Sequence, residues 1–200
     1  MPRPQEFDPA KARDAALRLF WRQGYQATSL SELTGAMAIS RSSFYGAFVD
    51  KRALFCDCLD IFAERTLAWM TRASGAQGPL QSLEHFFLFD PAPKAPGEPS
   101  WGCLLINTTL EMASVDEGLC AHASSHLTRI EQQMASTLRD AGYDPKAADD
   151  HAGLLMLLLS GVRVAARRTT TPKAQHAQIA AAFRMLEAAL ARSHAPERPS

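Results

Sequence analysis

Apolar residues recur every three or four positions along most of the chain, which is the spacing of one face of an α-helix. No segment of the sequence sustains the apolar/polar alternation of a strand, and Gly and Pro fall mostly between the periodic segments. The pattern therefore predicts an all-α protein of about nine helices. They are expected at about residues 8–23, 29–37, 40–48, 50–73, 80–89, 103–113, 116–141, 145–169 and 172–193.

The most apolar segment, residues 153–166, is too short for a membrane helix, which needs roughly 20 apolar residues. The first residues contain no apolar core of the kind a signal peptide has, and four cysteines are too few for a disulfide scaffold. We therefore expect a cytoplasmic protein that does not bind a membrane.

Charge is distributed unevenly between the two ends of the chain. The 200 residues are 46% hydrophobic and carry 21 basic and 21 acidic side chains. Taken alone, this net charge of zero argues against a nucleic-acid partner, since such proteins usually have a basic surface. Residues 1–52, however, hold eight basic and five acidic residues, a net charge of +3, and the remainder carries −3. The N-terminal segment is therefore modestly basic, and sequence-independent attraction to DNA is expected to be weak.

Residues 24–54 predict two short helices joined by a sharp turn, the layout of a helix-turn-helix whose second helix can enter the major groove of DNA. Short hydroxyl side chains and one arginine stand at the start of that second helix, where they can reach phosphates or base edges. The predicted DNA-binding residues are Thr28, Ser29, Ser40, Arg41, Ser42, Ser43, Tyr45 and Lys51.

This segment strongly resembles the TetR family of transcription repressors. The matching residues are Gly24-Tyr25, Thr28-Ser29, Leu33, Ile39-Ser40, Phe44-Tyr45, Phe48, Lys51 and Leu54. Two positions depart from the family pattern: Ala38 replaces the usual turn glycine, and Ser42 replaces a common glycine of the second helix. If the turn requires positive φ, alanine at this position costs about 1 kcal/mol.

The resemblance implies a helix-turn-helix DNA-binding domain at residues 1–52 and a larger effector-binding and dimerisation domain at residues 53–200. It also implies that the last two helices pair with a second copy of the chain, which would give a palindromic operator. On their own terms these helices carry an apolar stripe that fits this pairing; the alternative is that the stripe completes the core of a monomer. The candidate dimer residues are Leu158, Val162, Ile179, Phe183, Leu186 and Leu190.

A second, narrower resemblance involves Cys103, Asn107 and Glu111, which look like the GCL..N...E motif of a TetR subgroup that includes N-ethylmaleimide-responsive repressors. Their spacing places all three on one helix face, and a thiolate at Cys103 would be stabilised by the helix N-terminus. A packing role for Cys103 and capping roles for the other two are the alternatives. Phe62, Trp69 and Phe86 are further effector-binding candidates, although aromatic residues at helical spacing are usually core.

His122 and His126 have the i, i+4 spacing of a two-histidine metal site, but the sequence shows no matched carboxylate or third ligand. We therefore predict neither a metal nor a cofactor.

The predicted function is a homodimeric repressor that a small-molecule effector releases from a double-stranded DNA operator. One alternative is a redox- or electrophile-sensing repressor that acts through Cys103, and another is a helical protein-interaction module without DNA binding. An enzyme with Cys103 as nucleophile would need a base that no motif of the sequence supplies.

Overall fold

The residues that the structure describes fold as nine α-helices and contain no strand. The computed structural model describes residues 7–89, 92, 98–168 and 172–193, with only the backbone for residues 73–77, 172, 190, 192 and 193. The prediction of an all-α protein is confirmed. The helices are α1 (Pro9–Gln23), α2 (Leu30–Ala36), α3 (Arg41–Ala47), α4 (Lys51–Gln77), α5 (Pro79–Leu88), α6 (Leu104–Met112), α7 (Glu117–Asp140), α8 (Pro145–Ala165) and α9 (Pro172–Ser193).

Capping residues determine where α1 begins and ends. The carboxylate of Asp8 accepts hydrogen bonds from the backbone N–H groups of Ala10 and Lys11, and Pro9 occupies the first helical position, where its missing N–H costs nothing. The helix ends at Gly24, whose φ of 89° lies in a region that favours glycine. These local signals explain why the predicted bounds of α1 agree closely with the observed ones.

Two helices end four residues away from their predicted ends. α4 continues to Gln77, past Gly75, because one glycine within a helix costs only about 1 kcal/mol. It stops before Gly78, which has a φ of 84°. α8 ends at Ala165 instead of near residue 169, because the chain turns there through a hydrogen bond from the Arg168 N–H to the Ala165 carbonyl.

The helices group into two compact units, of which the first comprises Met1–Arg65 and Cys103–Leu127. Aromatic rings fill its interior: Phe20 meets Phe55 edge-on with ring centres 4.8 Å apart, and Trp21 meets Phe62 in the same way at 4.9 Å. Such edge-to-face pairs add about 0.5–1.5 kcal/mol to the burial of their surface. We call this group unit 1.

Unit 2 comprises Thr66–Gly102 and Thr128–Ser200. Its interior includes Phe87 of α5 and Phe183 of α9, whose ring centres lie 5.3 Å apart. Arg163 of α8 is also buried, and its guanidinium donates hydrogen bonds of 2.8 Å to the carbonyls of Phe86 and Phe89. Among the described helices of either unit, none has both the length and the apolar character that crossing a bilayer requires.

The division of function at residue 52 stays a prediction, because the two compact units describe packing and not activity. The units group the chain differently, since unit 1 contains α6 and the first turns of α7 together with the N-terminal helices.

Candidate DNA-binding site

The two short helices α2 and α3 each begin at a serine cap. Ser29 and Glu32 form a reciprocal capping box, in which the Ser29 hydroxyl accepts from the Glu32 N–H and the Glu32 carboxylate accepts from the Ser29 N–H. Ser40 caps α3 by accepting a 3.0 Å hydrogen bond from the Ser43 N–H. Leu33 and Phe44 are completely buried and anchor the two helices in unit 1. This arrangement is a helix-turn-helix.

Ala38 lies in the turn between α2 and α3 and has a φ of 54°. The turn therefore requires a positive φ at the position where alanine replaces the usual glycine. Its N–H donates to the Gly35 carbonyl at 3.2 Å, and the Ile39 N–H donates to the Thr34 carbonyl at 3.0 Å. The alanine is therefore held in a conformation that L-residues rarely adopt.

One face of α3 is exposed to solvent. Arg41, Ser42, Tyr45 and Gly46 all lie on it, and the Tyr45 side chain is 60% exposed. The Tyr45 ring packs edge-on against the Phe44 ring, with ring centres 5.4 Å apart. The opposite face of the helix is buried through Phe44, so the guanidinium, serine and phenol groups form the outer surface of the motif.

Hydroxyl groups cluster at the start of this exposed face. The Ser40 Oγ lies 2.8 Å from the Ser42 Oγ and 2.8 Å from the Ser43 Oγ. Because a hydroxyl both donates and accepts, each serine of this cluster can exchange its internal partner for a phosphate or a base edge. The structure thus brings four predicted residues, Ser40 to Ser43, together at one helix end.

Thr28 and Lys51 lie nearer to the interior than the α3 residues. The Thr28 side chain is buried, and its hydroxyl donates to the Gly24 carbonyl at 2.6 Å. The Lys51 ammonium lies 4.2 Å from the centre of the Tyr25 ring. Burial lowers the pKa of Lys51, and the nearby carboxylates of Glu111 and Glu32 offset only part of that shift. Both side chains support the segment that precedes α2.

Glu111 of α6 holds that same segment. Its carboxylate accepts hydrogen bonds from the Tyr25 N–H at 3.0 Å and from the Gln26 N–H at 2.7 Å. A Cβ atom at Gly24 would approach a Glu111 carboxylate oxygen to 2.8 Å, so only glycine fits here without displacement. We call this contact the Glu111 clamp. Sequence reasoning proposed capping as an alternative role for Glu111 but could not identify residues 25 and 26 as its partners.

The start of α4 is joined to the start of α7 by an ion pair. Arg52 donates two hydrogen bonds, of 3.0 and 3.2 Å, to the carboxylate of Asp116, which also caps α7 by accepting from the Leu119 N–H. The Arg52 guanidinium and the Leu119 N–H hold the pKa of Asp116 at about 2. The carboxylate is therefore charged throughout the neutral pH range.

The six predicted effector residues are divided between the units. Cys103, Asn107, Glu111 and Phe62 belong to unit 1, where Cys103 is the N-cap of α6 and only 8% exposed. Phe62 packs against Trp21 in the interior. Trp69 and Phe86 belong to unit 2, with Trp69 stacked on Phe89 at 5.1 Å and tilted against Phe86 at 5.6 Å.

The predicted dimer residues also separate into two groups. Ile179 and Phe183 are buried in unit 2, whereas Leu158, Val162 and Leu186 are half-buried. The side chain of Leu190 lies outside the described residues. The most exposed apolar side chains in the described parts of these helices are Leu154, Leu157 and Met185, at 63%, 72% and 73% exposure.

A shallow apolar groove of about 330 Å³ lies between α8 and α9. Leu154, Leu158, Met185 and Leu186 contribute to its lining.

Asp60 is a residue that sequence reasoning missed. It lies on α4, and its Oδ1 is within hydrogen-bond distance of both His122 and His126 on α7. The structure therefore places a carboxylate beside the histidine pair, on a residue 62 positions away from His122. No local signal could have identified it.

Comparison with known proteins agrees with this geometry. The family model of bacterial regulatory proteins of the tetR family matches residues 12–58. A second model, the C-terminal domain of LmrA/YxaF-like transcriptional regulators, matches residues 97–174.

Individual relatives show the same similarity. The HTH-type transcriptional repressor ComR of Escherichia coli K12 is 41% identical over 66 residues, which is 33% of this chain and 31% of ComR. YezE, an HTH-type transcriptional regulator of Bacillus subtilis 168, is 27% identical over 144 residues, or 72% of this chain and 70% of YezE. The chain thus matches only about a third of the length of ComR.

Among solved structures, a cysteine mutant of the TetR-family regulator CifR superimposes with a TM-score of 0.69 and 25% identity, covering 91% of this chain and 98% of that one. That structure contains CifR bound to a 26-base-pair operator DNA. The helix-turn-helix geometry, the two family matches and the shared fold lead to one conclusion: the chain belongs to the TetR family of bacterial transcription regulators.

Proposed function

We propose that the chain is a homodimeric repressor that binds a palindromic operator through α3 and is released by a small-molecule effector. The observation that carries the proposal is the exposed face of α3, where Arg41, Ser42 and Tyr45 face solvent and the opposite side of the helix is buried through Phe44. A guanidinium and two hydroxyl groups are suited to phosphate and base contacts in a major groove. ComR, a relative over part of its length, is itself named a repressor.

The apolar surface of α8 and α9 supports the proposal of a dimer. Leu157 and Met185 are each more than 70% exposed in the single chain, and a groove lined by leucine side chains runs between the two helices. Large exposed apolar surfaces mark sites of association. A two-fold dimer would present two copies of α3 to successive turns of the operator.

Operator binding is tested by selecting sequences from a random double-stranded DNA library with the full chain at physiological salt. We expect a palindromic consensus. Replacing Arg41 with Ala should lower affinity for that consensus at least about tenfold, since one good base contact is worth about 1–3 kcal/mol. The matched control is Arg184→Ala, an exposed arginine on α9, which should leave affinity unchanged.

Two results would contradict the proposal. The first is binding without sequence preference that disappears as salt rises, which is the behaviour of non-specific attraction to phosphates. The second is unchanged affinity in both Arg41→Ala and Tyr45→Phe, which would favour a helical protein-interaction module.

The effector site is expected near Trp69, because its ring stacks on Phe89 and contacts Phe86 within unit 2. A small apolar or aromatic molecule that displaces Phe89 from this stack would be bound by the same ring face. Screening for ligands that raise the melting temperature and also release the operator tests this step. Trp69→Ala should weaken the response to such a ligand and leave operator affinity unchanged.

A second candidate function is electrophile sensing through Cys103, as the resemblance to N-ethylmaleimide-responsive repressors suggests. Its support is the position of Cys103 at the N-cap of α6, where helix N–H groups favour a thiolate. If it is correct, alkylation by N-ethylmaleimide releases the wild-type protein from its operator and does not release Cys103→Ser. Equal release of both proteins would exclude Cys103 as the sensor.

A further inference from the structure

Asp60, His122 and His126 form a compact cluster within unit 1. The Nε2 atoms of His122 and His126 lie 2.8 and 2.7 Å from the same carboxylate oxygen, Oδ1 of Asp60. Their three potential ligand atoms all lie within 4.8 Å of one another. His126 is buried, whereas the side chains of His122 and Asp60 are 34% and 50% exposed, so the cluster opens to solvent on one side.

The helical register explains why both imidazoles reach one point. His122 and His126 are four residues apart on α7 and therefore project from the same face, with ring centres 5.0 Å apart and ring planes at 85°. Asp60 approaches from α4, and the three side chains converge from two helices. Two imidazole nitrogens and one carboxylate oxygen with an open fourth side form the donor set of many zinc sites.

Binding of a metal ion would require a small change in this geometry. The two imidazoles donate hydrogen bonds to one carboxylate oxygen through Nε2. A metal would bind these Nε2 atoms, and each neutral imidazole would then carry its proton on Nδ1. Ligand atoms about 2.0–2.1 Å from a tetrahedral zinc are about 3.3 Å apart, so the N···O distances must widen by roughly 0.5 Å. The half-exposed Asp60 side chain has the space to make that movement.

We propose that Asp60, His122 and His126 bind a divalent transition-metal ion of the zinc class, with water completing the coordination. Imidazole and carboxylate ligands favour Zn²⁺ or Co²⁺ over Mg²⁺ and Ca²⁺, which prefer oxygen ligands alone. A bound ion would join α4 to α7 within unit 1. This inference does not depend on operator binding.

The test uses the full chain, stripped with a chelator and titrated with Zn²⁺ against a chromophoric competitor. We expect one ion per chain with a dissociation constant in the micromolar range or tighter. Asp60→Asn and His122→Gln should each weaken binding at least tenfold. Matched controls are Asp57→Asn, one turn earlier on α4, and His151→Gln in unit 2, both of which should bind as the wild type does.

Co²⁺ provides a second measurement, because tetrahedral nitrogen and oxygen ligands give visible absorption bands without the thiolate-to-metal band of a cysteine site. Cys56, one turn before Asp60, is tested by Cys56→Ser, which should retain full affinity. Circular dichroism shows which variants fold. The buried His126 is tested by His126→Gln; if that variant unfolds, the variants at the half-exposed Asp60 and His122 still test the proposal. Absence of zinc binding, or binding that Asp60→Asn and His122→Gln leave unchanged, overturns the proposal.

Discussion

At the scale of single residues, the turn between α2 and α3 stores backbone strain at Ala38. A left-handed conformation costs an L-residue about 1–2 kcal/mol, because its Cβ approaches the following carbonyl. The hydrogen bonds of Ala38 and Ile39 to α2 keep the turn in this conformation despite the cost. The strain therefore lies directly before the helix that presents Arg41.

Replacing Ala38 with Gly should raise the free energy of unfolding by about 0.5–1 kcal/mol, because glycine adopts this φ without strain. The greater conformational entropy of glycine in the unfolded chain offsets only part of this stabilisation. Urea denaturation measures the change. Ala68→Gly, at an exposed alanine in the interior of α4, is the control and should lower stability by about 1 kcal/mol. A lower stability for Ala38→Gly would show that the turn is not strained.

The Glu111 clamp is the second residue-scale feature, and its loss should loosen residues 24–26. Glu111→Ala removes a charged acceptor from two N–H groups and should lower the free energy of unfolding by about 1–3 kcal/mol. Amide hydrogen exchange at Tyr25 and Gln26 should accelerate at the same time. Glu187→Ala, an exposed glutamate of α9, is the control. Unchanged exchange at both amides would contradict the clamp.

At the scale of helices, α5 depends on α8 for its C-terminal end. The last carbonyls of a helix have no partner within it and carry partial negative charge. The Arg163 guanidinium donates to two such carbonyls and lies 5.6 Å from the Phe86 ring centre, so one buried cation fixes α5 against α8.

Replacing Arg163 with Met keeps most of the side-chain volume and removes both hydrogen bonds. We expect a loss of about 2–4 kcal/mol in the free energy of unfolding, because buried carbonyls lose charged donors. Arg163→Lys should recover only part of it, since one ammonium does not reproduce the guanidinium fork. Thermal and urea unfolding measure both variants, and a Met variant as stable as Arg184→Met would refute this role.

At the scale of the whole molecule, the exposed apolar side chains of α8 and α9 have a consequence for assembly. The family resemblance implies that these helices pair with a second copy of the chain. In the single chain the core side is occupied by Ile179 and Phe183, and Leu154, Leu157 and Met185 remain exposed.

Leu157→Glu should therefore convert the proposed dimer into a monomer, because a charge would be buried in an apolar interface. Sedimentation velocity gives the mass. Operator affinity should fall by about 100-fold or more once the two half-sites are no longer bound together. Leu110→Glu, on an equally exposed leucine of α6, should change neither property. A Leu157→Glu protein that stays dimeric would exclude this face.

The sequence predicted the nine helices and the helix-turn-helix because their signals are local. Asp8, Ser29, Ser40 and Asp144 cap helices within three residues of themselves, and apolar periodicity identifies the buried face of each helix. The exposed residues of α3 follow directly from that periodicity. The end of α4 at residue 77 was less predictable, because a single glycine does not by itself stop a helix. The end of α8 at residue 165 was less predictable because the turn that follows it, residues 165–168, contains neither glycine nor proline.

Only the tertiary structure determined which distant residues meet. Glu111 binds the N–H of Tyr25 across 86 positions of sequence, and Asp60 joins His126 across 66. The sequence likewise assigned Ile179 and Phe183 as candidates for the dimer face, whereas packing places both in the interior of unit 2. A helical period specifies that a face is buried but not what covers it, because the partner depends on the path of the chain between the helices.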